Sequence, residues 1–278
     1  MEPSASLRKL EEALSAHYGW AMSRSAREKV GTAVTRKAAR VRLAPDEYCQ
    51  LAAGSESEML SLVEEAAAGE THFFREPQQF AHLRGEVLPA LAAGASPDRR
   101  VRIWSAACST GEEAYSLAIA CDQITPAEGK ARVEVFATDV RNRALLEASR
   151  ARYHLPALRL ADAETRGRYF VHTGGTPDAP LSGNYTVTPD IRRRVTFRRV
   201  NLLDAVFWKG VSERFDLIVC TNLLLHLHGA AVRQMVGRLG SALREGGHLM
   251  VAPAEGSLVE HSRLRLVKDA PSFFRKIT

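Results

Sequence analysis

Over roughly the first ninety residues, apolar side chains recur at helical spacing. Leu7, Leu10 and Leu14 fall on one face, and Val30, Ala33, Val34, Ala38 and Val41 on another. Met59, Leu60, Leu62 and Val63 mark a further helix. Pro45 and Asp46 fit a helix start, because proline is tolerated in the first turn and aspartate caps. No alternating strand pattern interrupts this stretch. The segment 91–100 is small and polar and contains Gly94 and Pro97, so it reads as a linker. These features predict an all-α unit over 1–92 and a second unit over 93–278.

Beyond the linker the texture changes. Val101–Ser105, Val133–Ala137, Phe215–Cys220 and Gly247–Ala252 read as strands, and Glu112–Cys121, Arg141–Ala151 and Ala230–Leu243 as helices. Strand–helix alternation predicts an α/β domain with a parallel sheet and helices on both faces. Two places break the rhythm. From about 160 to 200, Tyr169–Val171, Tyr185–Thr188 and Val195–Phe197 are separated by Gly174, Gly175, Pro177 and Gly183, which predicts a small antiparallel insert. The segments Leu264–Val267 and Ser272–Ile277 read as a closing hairpin.

Composition narrows the class. The 278 residues are 45% hydrophobic and 25% charged, enough for a real core and against global disorder. A formal net charge of +6 favours an acidic partner without choosing among nucleic acid, anionic membrane and acidic protein. Cys49, Cys108, Cys121 and Cys220 have neither C-x-x-C spacing nor a neighbouring histidine cluster. Buried thiols in a reducing cytosol are expected, with no metal site. No stretch approaches the about 18 consecutive apolar residues of a membrane span, and no secretory pattern opens the chain. A cytoplasmic protein that does not insert into the membrane is expected.

The chemistry concentrates where the first predicted strand meets its helix. Trp104-Ser-Ala-Ala-Cys-Ser-Thr-Gly-Glu-Glu113 turns on the small residues Ser105, Ala106, Ala107, Ser109 and Gly111. Small side chains let a cofactor approach the backbone at the carboxyl ends of parallel strands, though tight packing alone also explains them. The pattern is neither G-x-G-x-x-G nor G-x-x-x-x-G-K-[ST], which argues against a nicotinamide dinucleotide or a nucleoside triphosphate. Glu112 and Glu113 would repel phosphate but suit a cationic ligand; equally, they could only complement the helix dipole. Asp139, ending the second strand, can accept from both hydroxyls of a ribose, or cap the next helix. Turn and aspartate together point to a nucleoside cofactor.

Four segments carry a family resemblance: Thr71-His-Phe-Phe-Arg-Glu76, Trp104–Glu113, Ala137-Thr-Asp139 and Phe215-Asp-Leu-Ile-Val-Cys-Thr-Asn222. They resemble the successive motifs of the CheR family of chemotaxis receptor glutamate O-methyltransferases. The resemblance implies a Rossmann-like class I methyltransferase domain with a small antiparallel β-subdomain, preceded by an all-α N-terminal domain. It implies S-adenosylmethionine as cofactor, S-adenosylhomocysteine as product, and the cytoplasmic helical domain of a chemoreceptor as partner. It implies that Thr71 and Arg75 contact the cofactor and acceptor from the N-terminal side, and that Ala107 and Glu113 line the turn. Asp139 resembles the ribose-binding aspartate, Asn201 and Leu202 the adenine-lining pair, and Asn222 the asparagine near the methionine moiety. Independently, a carboxylate acceptor or the cofactor carboxylate needs a guanidinium partner, which Arg75 could supply; without its motif Arg75 would read as a solvated arginine.

Two departures stand out. The family has Arg-Asn where this chain has Thr221-Asn222, and an active-site tyrosine where it has His226. An imidazole can still donate to a carboxylate, with a charge that varies near neutrality. The departures keep open a cofactor-binding regulator without chemistry, or a methyltransferase for another protein. The helix Ser23–Leu43 carries Arg24, Arg27, Lys29, Arg36, Lys37, Arg40 and Arg42. A solvated face is the ordinary reading, and the resemblance implies receptor docking through Arg27, Arg36 and Arg40. Nucleic-acid binding is disfavoured because no aromatic residues interleave with the charges. A monomer is expected, with the β-subdomain able to take a receptor C-terminal peptide by strand pairing.

Overall fold

The computed structural model describes residues 4–67, 69–94, 99–124, 133–174 and 184–278. Four helices open it: α1 (Ala5–Tyr18), α2 (Arg24–Val41), α3 (Pro45–Ala53) and α4 (Glu56–Ala66). Their starts follow capping chemistry. Ser23 Oγ accepts from Ala26 N at 3.2 Å, and Pro45 begins α3 while the Glu47 carboxylate accepts from Ala44 N at 2.8 Å. Asp46 lies in that first turn, and the cap position itself is Ala44. Leu10, Leu14, Val30, Ala33, Val34, Ala38, Leu62 and Val63 share one apolar core with Tyr48 and Cys49. Val41, expected on the same face, is the last residue of α2 and is exposed.

Next come α5 (Pro77–His82) and α6 (Leu88–Ala93), joined through a π-helical turn at Leu83–Val87. Their apolar side chains Phe80, Leu83, Val87 and Leu88 pack into the core beneath the sheet, separate from the core of α1–α4. Residues 95–98 of the expected linker lie outside the described residues.

The sheet is built from β1 (Val101–Ala106), β2 (Val133–Asp139), β6 (Val195–Arg199), β7 (Phe215–Cys220), β8 (Leu243–Val251), β9 (Leu264–Val267) and β10 (Ala270–Lys276). Its order is β6-β2-β1-β7-β8-β10-β9. The first five strands run parallel; β10 joins β8 antiparallel, and β9 pairs antiparallel with β10 as the expected hairpin. The helices α7 (Glu112–Ile124), α8 (Asn142–Arg150) and α11 (Gly229–Ala242) cover the sheet. Strand β7 is buried along its whole length, as its nearly continuous apolar run requires, and the one acid in it, Asp216, pairs with Arg244 at 3.2 Å. Trp104, wholly buried on β1, donates to Thr138 Oγ1 at 3.0 Å and packs on Phe136 and Phe215.

Inserted after α8 is a three-stranded antiparallel sheet in the order β3-β5-β4, made of β3 (Arg152–His154), β4 (Phe170–Thr173) and β5 (Asn184–Val187). Helix α9 (Ala163–Tyr169) precedes β4, and α10 (Pro189–Arg192) follows β5. The insert was expected to include Val195–Phe197; that segment instead forms β6, in parallel register with β2 from Val135↔Val195 to Asp139↔Arg199. The reason is packing: Phe197 reaches Tyr115 of α7, with ring centroids 5.6 Å apart, so it belongs to the sheet's core. The third strand of the insert is β3, upstream of the expected range. Gly175, Pro177 and Gly183 lie outside the described residues. All four cysteines are buried and unpaired.

Gly111 between β1 and α7 has φ +95°, and a Cβ there would meet Ala148 Cβ at 2.8 Å and the Tyr153 hydroxyl at 3.0 Å. Gly111→Ala is therefore expected to lower the unfolding free energy by about 2–4 kcal/mol, combining backbone strain with overpacking. Urea denaturation of the two proteins measures the difference.

Candidate functional site

Strands β1, β2, β6 and β7 point their carboxyl ends at one rim, where ligands bind in open parallel sheets. A cleft of about 630 Å³ opens there, within the usual size of a small-molecule site. Thr71, Arg75, Ala107, Glu113, Asp139, Asn201, Leu202, Asn222 and His226 all line it. Side chains from five separate stretches of sequence thus meet in one place.

Each arrives for a local reason. Thr71 and Arg75 sit in the segment between α4 and α5, which two phenylalanines anchor. Phe73 is wholly buried, edge-on to Tyr153 at 4.8 Å and Phe170 at 4.9 Å, and its N–H donates to Ala157 O at 2.8 Å. Phe74 packs on Phe80, and its N–H donates to Ser116 Oγ at 2.9 Å. With the pair fixed, Arg75 faces the cleft, and one of its nitrogens donates to Glu70 O at 3.0 Å. Phe74 and Glu76 both have positive φ, at 54° and 63°. Ala107, Ser109 and Asn222 share this left-handed conformation, at 67°, 52° and 60°. Such backbone is costly for residues other than glycine and collects at functional sites.

Asp139 is buried, and both carboxylate oxygens are engaged. Oδ2 accepts from Ser109 N at 2.8 Å, and Oδ1 accepts from Arg141 N at 2.9 Å and Arg141 Nε at 3.2 Å. Arg141 also donates to Ser109 Oγ at 2.9 Å. The aspartate therefore ties the β1 turn to the β2 turn. Arg141 was read only as a helix start, yet it is the cation beside the pocket's aspartate. Its two-residue separation from Asp139 is the signal in the sequence.

Glu113 projects from the first turn of α7. Its two oxygens accept from the hydroxyls of Ser105, at 2.6 Å, and Thr221, at 2.5 Å. Burial pushes its carboxyl up from 4.5 to about 7, the two hydroxyls and Arg75 pull the other way, and the charge of Glu255 adds to the rise. Neighbouring Glu112 is also raised by burial. Glu255, absent from the sequence reading, is fully buried under the Thr221–His226 segment. The side chain of Asn201 is held by the chain itself: Nδ2 donates to His17 O at 3.0 Å and Oδ1 accepts from Leu203 N at 3.0 Å. Leu202 is buried in the wall. His226 is exposed at the mouth, and its carbonyl accepts from Ala21 N at 2.8 Å. Tyr18, Trp20 and Lys29 of the helical region complete that side.

The arginines expected to dock a partner do not line the cleft. Arg27 pairs with the buried Glu11 of α1 at 3.2 Å, and Arg36 with Glu65 of α4 at 2.8 Å. They lie nine residues apart, which at 100° per residue puts them on opposite sides of α2. Arg40 is exposed. Among the described residues, no cluster of His, Cys, Asp and Glu could hold a metal ion, and no helix is long and apolar enough to cross a membrane.

A doubly wound sheet with small-residue turns, acidic groups and two guanidinium groups, those of Arg75 and Arg141, at its rim defines a protein that binds a nucleoside cofactor carrying positive charge. The chain belongs to the CheR methyltransferase family: the model described as "CheR methyltransferase, SAM binding domain" matches residues 69–270. It is 35% identical over 209 residues to chemotaxis protein methyltransferase 1 of Pseudomonas aeruginosa, covering 73% of this chain and 72% of that protein. It is 33% identical over 257 residues to the probable biofilm formation methyltransferase WspC of the same organism, covering 89% of this chain and 57% of that one. A probable chemotaxis protein methyltransferase of Rhizobium etli is 32% identical over 216 residues, covering 75% of this chain and 76% of its own length. The protein is a methyltransferase with S-adenosylmethionine as its cofactor. The cleft's chemistry fits that molecule: carboxylates suit its ammonium and sulfonium, Arg75 suits a carboxylate of cofactor or acceptor, and the β1–α7 turn lacks the spacing of the phosphate-binding motifs.

Glu113 gives stability a pH dependence. The folded carboxyl keeps its proton to about pH 7, whereas the unfolded chain releases it near 4.5. Between those values the native state binds more protons, so stability falls as pH rises, by up to about 1.4 kcal/mol per unit, and the contribution is complete only below 4.5. Glu113→Gln is expected to flatten that part of the profile, read as thermal midpoints from pH 4.5 to 8.

Proposed function

We propose that this protein transfers a methyl group from S-adenosylmethionine to glutamate side chains in the cytoplasmic helical domain of a chemoreceptor. The observation that carries the reading is the convergence of Arg75, Glu113, Asp139 and Asn222 on one cleft. The bound cofactor supplies an electrophilic methyl on a sulfonium. Asp139 would hold the ribose: a carboxylate offers about four acceptor sites, and among the described residues Oδ2 accepts from Ser109 N. Asn201 and Leu202 would flank the adenine, and Glu113 and Asn222, with Ala107 and Thr71, would hold the amino-acid end.

The acceptor needs no general base, because a glutamate with a pKa of about 4.3 is already ionised at neutral pH. What remains is alignment and the removal of water from the nucleophile. Arg75 orients the acceptor carboxylate, and His226, at the mouth, donates to it. Receptor docking uses the basic helix α2, where Arg40 is free to meet an acidic surface while Arg27 and Arg36 would have to share their charge with Glu11 and Glu65. The open edges of the small sheet support a second contact with an extended receptor peptide; on β4, Val171 is about half exposed. The reading places the protein in the cytoplasm, as a monomer. The core packing supports a division between helical and methyltransferase units between α4 and α5, ahead of the expected 92/93 boundary.

Thr221 favours a second reading, in which the acceptor is another protein or turnover is weak. Its hydroxyl donates to Glu113 where the family carries an arginine, so the cleft holds one cation fewer. Incubation with methyl-labelled cofactor and a receptor cytoplasmic fragment is expected to give alkali-labile methyl ester, released as volatile methanol. Release no greater than in a control without the protein would favour the second reading. Arg75→Ala is expected to lower kcat by about 100-fold through lost alignment. Asp139→Ala is expected to weaken S-adenosylhomocysteine binding by roughly 10- to 100-fold in calorimetry, on the scale of hydrogen bonds to a charged acceptor.

A further inference from the structure

We propose that Glu255 is the positioning residue of the loop that delivers Asn222 and His226 to the cleft. Glu255 lies in the 3-10 turn Pro253–Leu258 that follows β8, and none of its surface is exposed. A carboxylate so placed must find donors, and those it finds are backbone amides. Oε2 accepts from Asn222 N at 2.9 Å and Ala252 N at 3.0 Å, and Oε1 from Leu225 N at 3.3 Å. One carboxylate thus grips two points, three residues apart, in the turn between β7 and α11, and ties them to the end of β8.

That turn is not self-supporting. Asn222 is left-handed, at φ 60°, and a single 3-10 turn, Leu224–His226, follows it. On the outer side the α1–α2 connection holds the same loop: Ala21 N donates to His226 O at 2.8 Å, and His228 N to Gly19 O at 2.9 Å. Beneath it, Glu255 is the fixed point. A glutamine there keeps only one acceptor oxygen and turns an NH2 group toward an N–H, leaving a donor without a partner.

Glu255 has a second, electrostatic reach. Its charge helps raise Glu113, which also faces Arg75 from the α4–α5 segment and the hydroxyls of Ser105 and Thr221. Removing that charge lets Glu113 ionise at lower pH. Glu255 therefore acts on the cleft through Asn222, His226 and Glu113, without needing to touch a ligand.

The inference rests on the cleft being the cofactor site, so wild-type binding of S-adenosylhomocysteine is the control: failure there removes that reading. Two measurements on Glu255→Gln test the inference itself. In the ligand-free protein, hydrogen exchange at the amides of Asn222 and Leu225 is expected to speed up by at least about tenfold over wild type, while the core strands keep their protection. In calorimetry, S-adenosylhomocysteine affinity is expected to fall about tenfold, and the pH midpoint of binding set by Glu113 to move to lower pH. A merely structural role would lower the melting temperature and leave that midpoint in place. A folded Glu255→Gln with unchanged loop exchange and an unchanged midpoint overturns the proposal. Should the variant fail to fold, wild-type exchange decides: protection of both amides sustains the assignment, and free exchange at either overturns it.

Discussion

Where parallel strands end, the chain leaves the ladder, and its amides must find other acceptors or lie buried and unpaired. At the carboxyl rim of this sheet two buried carboxylates take that role. Asp139 and Glu255 together accept five backbone N–H groups, from Ser109, Arg141, Asn222, Leu225 and Ala252. The left-handed residues Ser109 and Asn222 are among them, so the same bonds hold backbone that would otherwise relax. The acidity of the cleft follows from this requirement. A pocket whose turns are pinned by carboxylates repels phosphate and receives cations, which is what an adenosyl sulfonium presents.

Glu113 is acidic in a different way. Its partners are hydroxyls, and it keeps its proton to about pH 7. Thr221 suits that state. A hydroxyl can serve a protonated or an ionised carboxyl, whereas an arginine at the same place would hold it ionised throughout. Thr221 is thus matched by the protonation behaviour of its neighbour, and of the two described arginines that line the cleft Arg75 is the one without a carboxylate partner. Arg141 is bound to Asp139.

The parts legible in the sequence were those with a local cause. The strands and helices around Trp104–Glu113 follow from apolar runs, small turn residues and acidic helix starts, and the residues chosen there do meet in the cleft. Strand β6 was misread because Val195–Phe197 follows two β-rich runs and several turn residues. Only the tertiary contact of Phe197 with Tyr115 separates a parallel edge strand from the third strand of a hairpin. Glu255 was missed because a glutamate between Ala254 and Gly256 reads as a solvated loop residue. Its signal was present in Pro253 followed two residues later by an acid, the spacing of a first-turn proline and a capping-box glutamate. On the basic helix, charge count shows neither Glu11 beneath Arg27 nor Glu65 beside Arg36.

Those ion pairs also bear on how the helical part meets the sheet. Arg27 and Arg36 fasten α2 to α1 and α4, so α2 is a strut before it is a docking face. The chain entering it, Gly19 to Met22, is the stretch that bonds to His226 and His228 and pairs Trp20 with Leu227. Gly19 fits there by its left-handed φ of 69°, where a Cβ would lie 2.7 Å from Ala231. The helical unit is thus attached at the loop whose other face Glu255 holds.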